Sequence, residues 1–456
     1  VFAPLVSFAQ DKSGEVALMF GLMAIVMFMM IGLAVDFGRW INARNQTVAA
    51  ADAAVLAAAR ALQTNGGDKD AAITVARDYY SAAVQDRLTI TSNPPDTVDF
   101  DVVDEGTAVK TKGNAYIRTP FMSLGGISHL PLLRASGADY SKAKLAVGND
   151  SGTNIEISMM LDVTGSMAGT KIKDLKLAAS DLIKIVVWDK QTEYTSKVAI
   201  APFAPRVNVG DYAPALTGLA ATKKNKSNKT VKLITCVTER TGSYEFTEDA
   251  PAKGRYLSAY NGTTSADDDK NYSSNGTCSA PDAKQSILPM TNDKQALLDR
   301  IDKLGASGAT AGQLGTAWAW YLISPQWASV WPAESKPAPY SDMAVLNKDG
   351  KPSLKKIAVL MTDGAYNTKG GTQYGDNSNE AKQIATNAVK LCTNMKAKGI
   401  EVYTVGFALG NNQTILNTMR NCATDESHFY NSSTGDALRQ AFRDIALKIS
   451  SLYLAE

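Results

Sequence analysis

Hydrophobic positions along the 456-residue chain follow three regimes in turn. The first is one uncharged apolar run, VALMFGLMAIVMFMMIGLAV at 16–35, bracketed by Glu15 and Asp36. At about 20 residues it is long enough to cross a hydrocarbon core as a helix. A signal peptide has a shorter apolar region and a small-residue cleavage site. This run continues without such a site into DFGRWINARNQTVAAADAAVLAAARAL. Residues 42–62 are nearly all strong helix formers, so the helix is expected to project past the bilayer until Asn65-Gly66-Gly67 stops it. Its small side chains permit close approach by another helix.

After a second helix expected over 68–84, the period changes to two. Val98, Phe100 and Val102 alternate with Asp99 and Asp101, and Asp104-Glu105-Gly106 supplies a turn, which predicts a small antiparallel sheet over about residues 88–147. The acidic residues read as a solvated face. GNDSGTN, at 148–154, is a linker by composition.

Beyond the linker, strands alternate with helices. Apolar strands are expected at 155–161, 198–203, 356–362 and 400–407. Helices are expected at 171–187, 378–398 and 436–454, the last with Leu438, Phe442, Ile445, Ile449 and Leu452 along one face. Such alternation predicts an α/β fold with a doubly wound, mainly parallel sheet covered on both faces. The expected organisation is an N-terminal transmembrane helix with its Ala-rich extension (1–67), a helix plus small antiparallel β unit (68–147), a linker (148–154) and an α/β domain (155–456). A polar insertion occupies about residues 207–286.

Charge and cysteines then limit the functional classes. With 47 basic and 45 acidic residues the net charge of +2 exerts no global pull on nucleic acid, and none is expected as a partner. Lys12 before the span and Arg39 and Arg44 after it, taken alone, put the C-terminal side in the cytoplasm. The sequence begins at Val1 rather than Met, so further basic residues ahead of Lys12 are left open. Cys236, Cys278, Cys392 and Cys422 all follow the span, and an even count in loop-rich sequence suits an oxidising compartment. Of three pairings, Cys236 with Cys278 and Cys392 with Cys422 each close a segment within one region. Four reduced, buried thiols are the alternative.

Parallel sheets bind ligands at the carboxyl ends of their strands. Asp162 ends one strand and Asp363 ends another, and two carboxylates on one edge repel unless positive charge lies between them. A hard divalent cation meets that need, with oxygen ligands at about 2.1 Å for Mg2+. Mn2+ is equally suited and Ca2+ less so. Thr164 and Ser166 offer hydroxyls beside Asp162, and Thr310 offers one in the Gly-rich loop GASGATAGQLG.

Enzyme motifs fail on spacing. A phosphotransferase of the haloacid dehalogenase type needs a second Asp where Thr164 stands. Only His129 and His428 are available to a Ser-His-Asp hydrolase or a zinc site, and GASGA misses the nucleophile-elbow spacing. GSMAGTK does not fit a phosphate loop. No enzymatic activity is expected.

Asp162-x-Thr164-x-Ser166, Gly308-Ala309-Thr310 and Thr362-Asp363-Gly364 resemble the three parts of the metal-ion-dependent adhesion site of von Willebrand factor type A domains, whose fold is Rossmann-like. The resemblance implies that Ser166, Thr164 and Thr310 bind the metal directly or through water, and that Asp162 and Asp363 hold bridging waters. A ligand carboxylate would take the open position. Thr164 replaces the usual first serine, and the long insertion separates the second strand from Thr310.

Residues 14–62, with Ala34-Val35-Asp36 followed by the Ala-rich 51–59, resemble the membrane anchor of TadE/TadG-like (Tad or Flp pilus-assembly) proteins. The two resemblances together imply a TadG-like protein. It would be anchored by a single pass in a bacterial inner membrane, with its C-terminal domains in the periplasm or at the surface, and would serve pilus assembly or adhesion. Its expected partners are proteins of the pilus or surface apparatus that present an acidic side chain to the metal. Met19 stands where a pilin has glutamate five residues after its cleavable Gly, here Gly14, which argues against processing as a pilin. The alternative is a structural scaffold working through helix docking and the insertion, with the metal site unfilled.

Other features have plainer readings. Lys223, Lys224, Lys226 and Lys229 form a basic run read as a solvated loop, and SADDDK at 265–270 lacks the spacing of a calcium loop. The Gly-, Asn- and Tyr-rich 364–379 suits adaptable contacts or a mobile loop. Trp318, Trp320, Trp327 and Trp331 are expected in the core.

Overall fold

The computed structural model describes residues 13–64, 68–91, 95–103, 108–134, 142–145, 152–187, 191, 194–260, 271–278, 280–348, 350–449 and 452–455. The chain divides into two units, residues 1–145 with 452–456 and residues 146–451. The stop at Gly66-Gly67, the turn at 104–106, SADDDK and most of the linker lie outside the described residues.

In the first unit, α1 (Ser13–Thr64) is a single helix of 52 residues, about 78 Å at 1.5 Å per residue. It is the one described helix long and apolar enough to cross a membrane. Most of its large apolar side chains from Met19 to Val35 are exposed. Beyond them one face turns inward: Ala50, Ala51, Ala54, Val55, Ala58, Ala59 and Leu62 are buried, as are Ala72, Ala76, Tyr80 and Val84 of the adjoining α2 (Lys69–Thr91). Methyl side chains allow the two axes to approach closely, so the alanines serve an intramolecular helix pair. Helix α2 runs seven residues past its expected end, because neither Gly nor Pro interrupts the chain before Pro94.

Strands β1 (Asp99–Val103) and β2 (Ala108–Lys112) pair antiparallel, and β3 (Ala115–Arg118) forms a hairpin with β4 (His129–Leu133). Strand β5 (Lys142–Leu145) lies between β2 and the last strand of the chain, Leu452–Ala455. A helix was expected to run to about 454. It ends at Ile449 instead, and Leu452, which fits the helical spacing, enters the small sheet. Asp99 and Asp101 carry surface ion pairs with Arg77 and Lys112, each 2.7 Å.

The second unit is the α/β domain. Its elements in order are β6 (Asn154–Asp162), α3 (Thr170–Val186), β7 (Ser196–Phe203), β8 (Leu288–Thr291), α4 (Lys294–Asp302), α5 (Gly312–Ile323), β9 (Leu354–Thr362), α6 (Asn379–Ala397), β10 (Glu401–Phe407), α7 (Gln413–Cys422), β11 (Phe429–Ser432) and α8 (Gly435–Ile449). The sheet order is β8-β7-β6-β9-β10-β11, parallel except for the antiparallel edge strand β8. Pleating splits the buried strand β6 between two cores. Ile155, Ile157, Met159 and Leu161 pack with α3, α4 and α8, whereas Met160 packs with α5. Helix α3 meets its side through Leu175, Ala178, Leu182 and Val186, the i, i+3, i+4 stripe of an amphipathic helix.

Both disulfides join the expected partners, Cys236 to Cys278 and Cys392 to Cys422. The second ties α6 to α7 across 30 residues, a span for which loop entropy alone predicts about 3–4 kcal/mol of stabilisation. The first orders the insertion, whose described residues form two small antiparallel sheets with β strands as short as two residues. Although polar in sequence, the insertion is anchored on the core. Glu248 accepts hydrogen bonds from Ser324 Oγ and Tyr340 Oη, both at 2.5 Å, and Arg240 lies over the rings of Tyr321 and Trp327. The four tryptophans are buried there, Trp318, Trp327 and Trp331 packing ring to ring.

Candidate metal centre

Strands β6 and β9 are the central pair of the sheet, in register from Asn154 opposite Leu354 to Leu161 opposite Met361. That register brings Asp162 level with Thr362 and leaves Asp363 one residue further, at the same carboxyl edge. Asp162 is fully buried. Its Oδ1 accepts from Thr164 N at 2.9 Å, and its Oδ2 accepts from Thr362 Oγ1 at 2.6 Å. Thr164 Oγ1 lies 2.9 Å from Ser166 Oγ, which donates to Asp363 Oδ1 at 2.6 Å. Two carboxylates and three hydroxyls thus form one hydrogen-bonded cluster. It opens to solvent at Ser166, an exposed residue.

The loop bearing Thr310 is fastened to the same cluster. Gly165 N donates to Gly308 O at 2.7 Å and Ser307 N donates to Val163 O at 2.9 Å. Gly308 has φ +84°, and a Cβ there would sit 2.6 Å from Pro205 Cδ, so the motif's glycine is required by both conformation and space. Thr310 is buried, its N–H donating to Asn367 Oδ1 at 3.1 Å and its carbonyl accepting from Asn367 N and Thr368 N. All five residues singled out from the sequence therefore lie on three adjoining loops at one sheet edge.

Two participants were not foreseen. Lys171, in the first turn of α3, places Nζ 2.7 Å from Asp363 Oδ2. Asn367 bridges Thr310 to Asp376, whose Oδ1 accepts from Asn367 Nδ2 at 2.7 Å. Neither has a sequence signal beyond lying within ten residues of a motif. The 364–379 segment is also pinned rather than loose: Gly370 N donates to Glu239 Oε2 at 2.8 Å, Lys369 pairs with Glu245, and the Tyr260 ring packs on Gly371. Burial pushes the Glu239 carboxyl up to about 7.

Burial, followed by the charge of Asp363, pushes Asp162 up to about 6, against the opposing hydrogen bonds from Thr164 and Thr362. An unfolded Asp titrates near 3.8, so between these values the unfolded chain releases a proton that the folded chain retains. Stability of the metal-free protein should therefore fall as pH rises from 3.8 to about 6, by roughly 3 kcal/mol from this group. Denaturant midpoints across that range should show the decline in the parent, and Asp162→Asn should lack this component.

A mainly parallel sheet of this order, with these three loops on its carboxyl edge, defines a von Willebrand factor type A domain, and residues 342–444 match that family. Residues 14–61 match the Flp pilus-assembly TadE/G-like family. The chain joins a TadE/G-like N-terminal region to a von Willebrand factor type A domain. The matched stretch begins after the insertion, so Asp162, Thr164 and Ser166 belong to the domain through the strand pairing of β6. No curated protein matches the chain. Among solved structures, the vWF domain of the type V pili tip protein Mfa5 from Porphyromonas gingivalis is similar at 12% identity, over 65% of this chain and 95% of that one, with a TM-score of 0.36. The PilB minor pilin from Streptococcus sanguinis is similar at 11% identity over 78% and 77% of the two chains, with a TM-score of 0.35. Proximal thread matrix protein 1 from the mussel byssus, with a zinc-occupied MIDAS motif, is similar at 11% identity over 67% and 48%, with a TM-score of 0.29.

Proposed function

We propose that this protein is a membrane-anchored, metal-dependent protein-binding module of TadG type that acts in Tad pilus assembly or surface adhesion. The observation that carries the reading is the joined cluster of Asp162, Thr164, Ser166 and Asp363 at the carboxyl edge of the central strands. Its donors are all hard oxygens, and burial beside Asp363 penalises the ionised form of Asp162 until positive charge is supplied. This donor set fits Mg2+ or Mn2+. Ser166, Thr164 and Thr310 would hold the ion directly or through water, with Asp162 and Asp363 holding bound waters. The ion would supply an open coordination position for an acidic side chain of a pilus or surface partner.

Helix α1 anchors the chain in a bacterial inner membrane by a single pass, and the two disulfides support an exported location, periplasmic or at the surface, for the C-terminal domains. One observation favours a second reading. Lys171 already places a positive charge on Asp363, which suits a scaffold whose metal site stays closed.

The test is a calorimetric titration of the full chain in lipid nanodiscs, stripped with EDTA, with Mg2+ and Mn2+. Saturable binding that is lost in Asp162→Ala is expected. A folded parent that takes up neither cation overturns the metal-dependent reading and leaves the scaffold.

A further inference from the structure

The 119–128 loop of the first unit, which joins β3 to β4, carries no charged side chain. Phe121, Leu124 and Ile127 are 47%, 74% and 50% exposed, so three large apolar side chains on one short loop face outward. Single exposed apolar residues are ordinary, whereas a cluster marks an interaction surface.

The position of the loop on α1 identifies its occupant. A Cβ built on Gly32 would lie 2.6 Å from the Phe121 ring, so the ring is seated directly on the helix backbone. One turn on, the buried carboxylate of Asp36 accepts hydrogen bonds from Phe121 N and Met122 N, both at 2.8 Å. Gly32 lies within the apolar run and Asp36 is the first charge after it. The loop is thus held at the level where the hydrocarbon core gives way to the interfacial layer. Trp40, one turn further, donates its indole N–H to Pro131 O at 2.8 Å, Arg118 immediately precedes the loop, and Arg39 lies 3.7 Å from Asp36 Oδ1. Tryptophan and cationic side chains at that level are features of a membrane boundary.

The backbone is prepared for a poorly hydrated layer. Ser123 N donates to Thr119 O, Leu124 N to Phe121 O, Gly126 N to Ser123 O and Ile127 N to Met122 O. The Thr119 hydroxyl closes the loop by donating to Ile127 O at 2.6 Å. Satisfying polar groups internally is the condition for backbone to enter lipid.

We infer that this loop is a second membrane contact, seated in the interfacial layer of the bilayer beside α1 with Phe121, Leu124 and Ile127 in lipid. The inference rests on α1 crossing the membrane. It gives the first unit a fixed height and tilt against the bilayer, which a single helix with a free extension would lack.

All four native cysteines are in disulfides, so a new thiol can be labelled alone. The full chain, reconstituted in phosphatidylethanolamine/phosphatidylglycerol vesicles, would carry the fluorophore NBD at Leu124→Cys, at Val26→Cys within the span, or at Tyr79→Cys on the exposed face of α2. Leu124 and Tyr79 are exposed, so their replacement leaves the core intact. The expected result is blue-shifted emission from position 124 and at least twofold quenching by lipids carrying a shallow nitroxide, with position 79 unaffected and position 26 quenched best by a deep nitroxide. Quenching at 26 with 124 behaving like 79 overturns the loop contact and leaves the spanning helix standing. No quenching at either 26 or 124 overturns the spanning helix and the loop contact with it. Blue-shifted emission at 124 without lipid quenching means that a second copy covers the loop, which also overturns the inference.

Discussion

Lys171→Met is expected to tighten Mg2+ binding tenfold to a hundredfold, whereas Asp363→Ala abolishes it. The Lys171 ammonium lies 2.7 Å from Asp363 Oδ2, so a divalent ion entering the cluster must displace this tethered cation or bind beside it. Two positive charges about 4 Å apart repel by about 4 kcal/mol per unit-charge pair at the effective dielectric of a protein surface. Lys171 retains 30% side-chain exposure, so its ammonium can swing toward water and relieve most of that repulsion. A residual 1.4–2.8 kcal/mol corresponds to the stated range in affinity. Methionine preserves the length of the stem near the Phe407 ring and removes only the charge. In the metal-free protein the same substitution leaves the Asp162 and Asp363 charges unopposed, so the unfolding midpoint should drop without Mg2+ and recover with it. Titration calorimetry and denaturant melts measure both. Weaker Mg2+ binding in Lys171→Met would mean that the lysine positions Asp363 for the ion rather than competing with it.

The two aspartates were legible because an apolar run long enough for a buried strand ended in a carboxylate twice, each time before a turn. Lys171 was not, because its partner lies 192 residues away and only the pairing of β6 with β9 brings them together. Strand β8 was missed for a different reason. It has four residues, and Pro289, which cannot donate to the ladder, interrupts it on the edge position that β8 occupies. The closing strand Leu452–Ala455 shows the limit of periodicity: Leu452 continues the spacing of α8, yet its pairing with Lys142–Leu145 lies some 300 residues back along the chain. In the insertion, polarity concealed burial. Glu239, Arg240 and Glu248 belong to a segment that is polar in sequence, yet each is buried against ring faces or hydrogen-bond donors.

Glu156→Ala is expected to cost about 3–5 kcal/mol of stability, the penalty of leaving a partner charge buried alone. Glu156 and Lys356 face each other in the register of β6 and β9, and the Lys356 side chain has no exposed surface. Its ammonium is held by Glu156 and by Ile323 O at 3.0 Å, while Glu156 Oε1 accepts from Ala338 N at 2.8 Å. Burial draws the lysine below its ordinary value despite the carboxylate beside it. Removing Glu156 leaves the ammonium one carbonyl, and Lys356→Met leaves the carboxylate one N–H. Replacing both, as Glu156→Ala with Lys356→Met, removes the charges together and should cost far less than the two single changes summed. A double-mutant cycle by denaturant unfolding should therefore give a coupling of at least 2 kcal/mol, within the range for directly contacting groups. The pair stands about six strand residues, roughly 20 Å, from Asp162 along β6, so Mg2+ affinity should be unchanged in any variant that folds. Single substitutions that each cost under 1 kcal/mol would mean that water reaches this end of the sheet. A change in Mg2+ affinity would mean that strain at one end of the central strand pair is felt at the other.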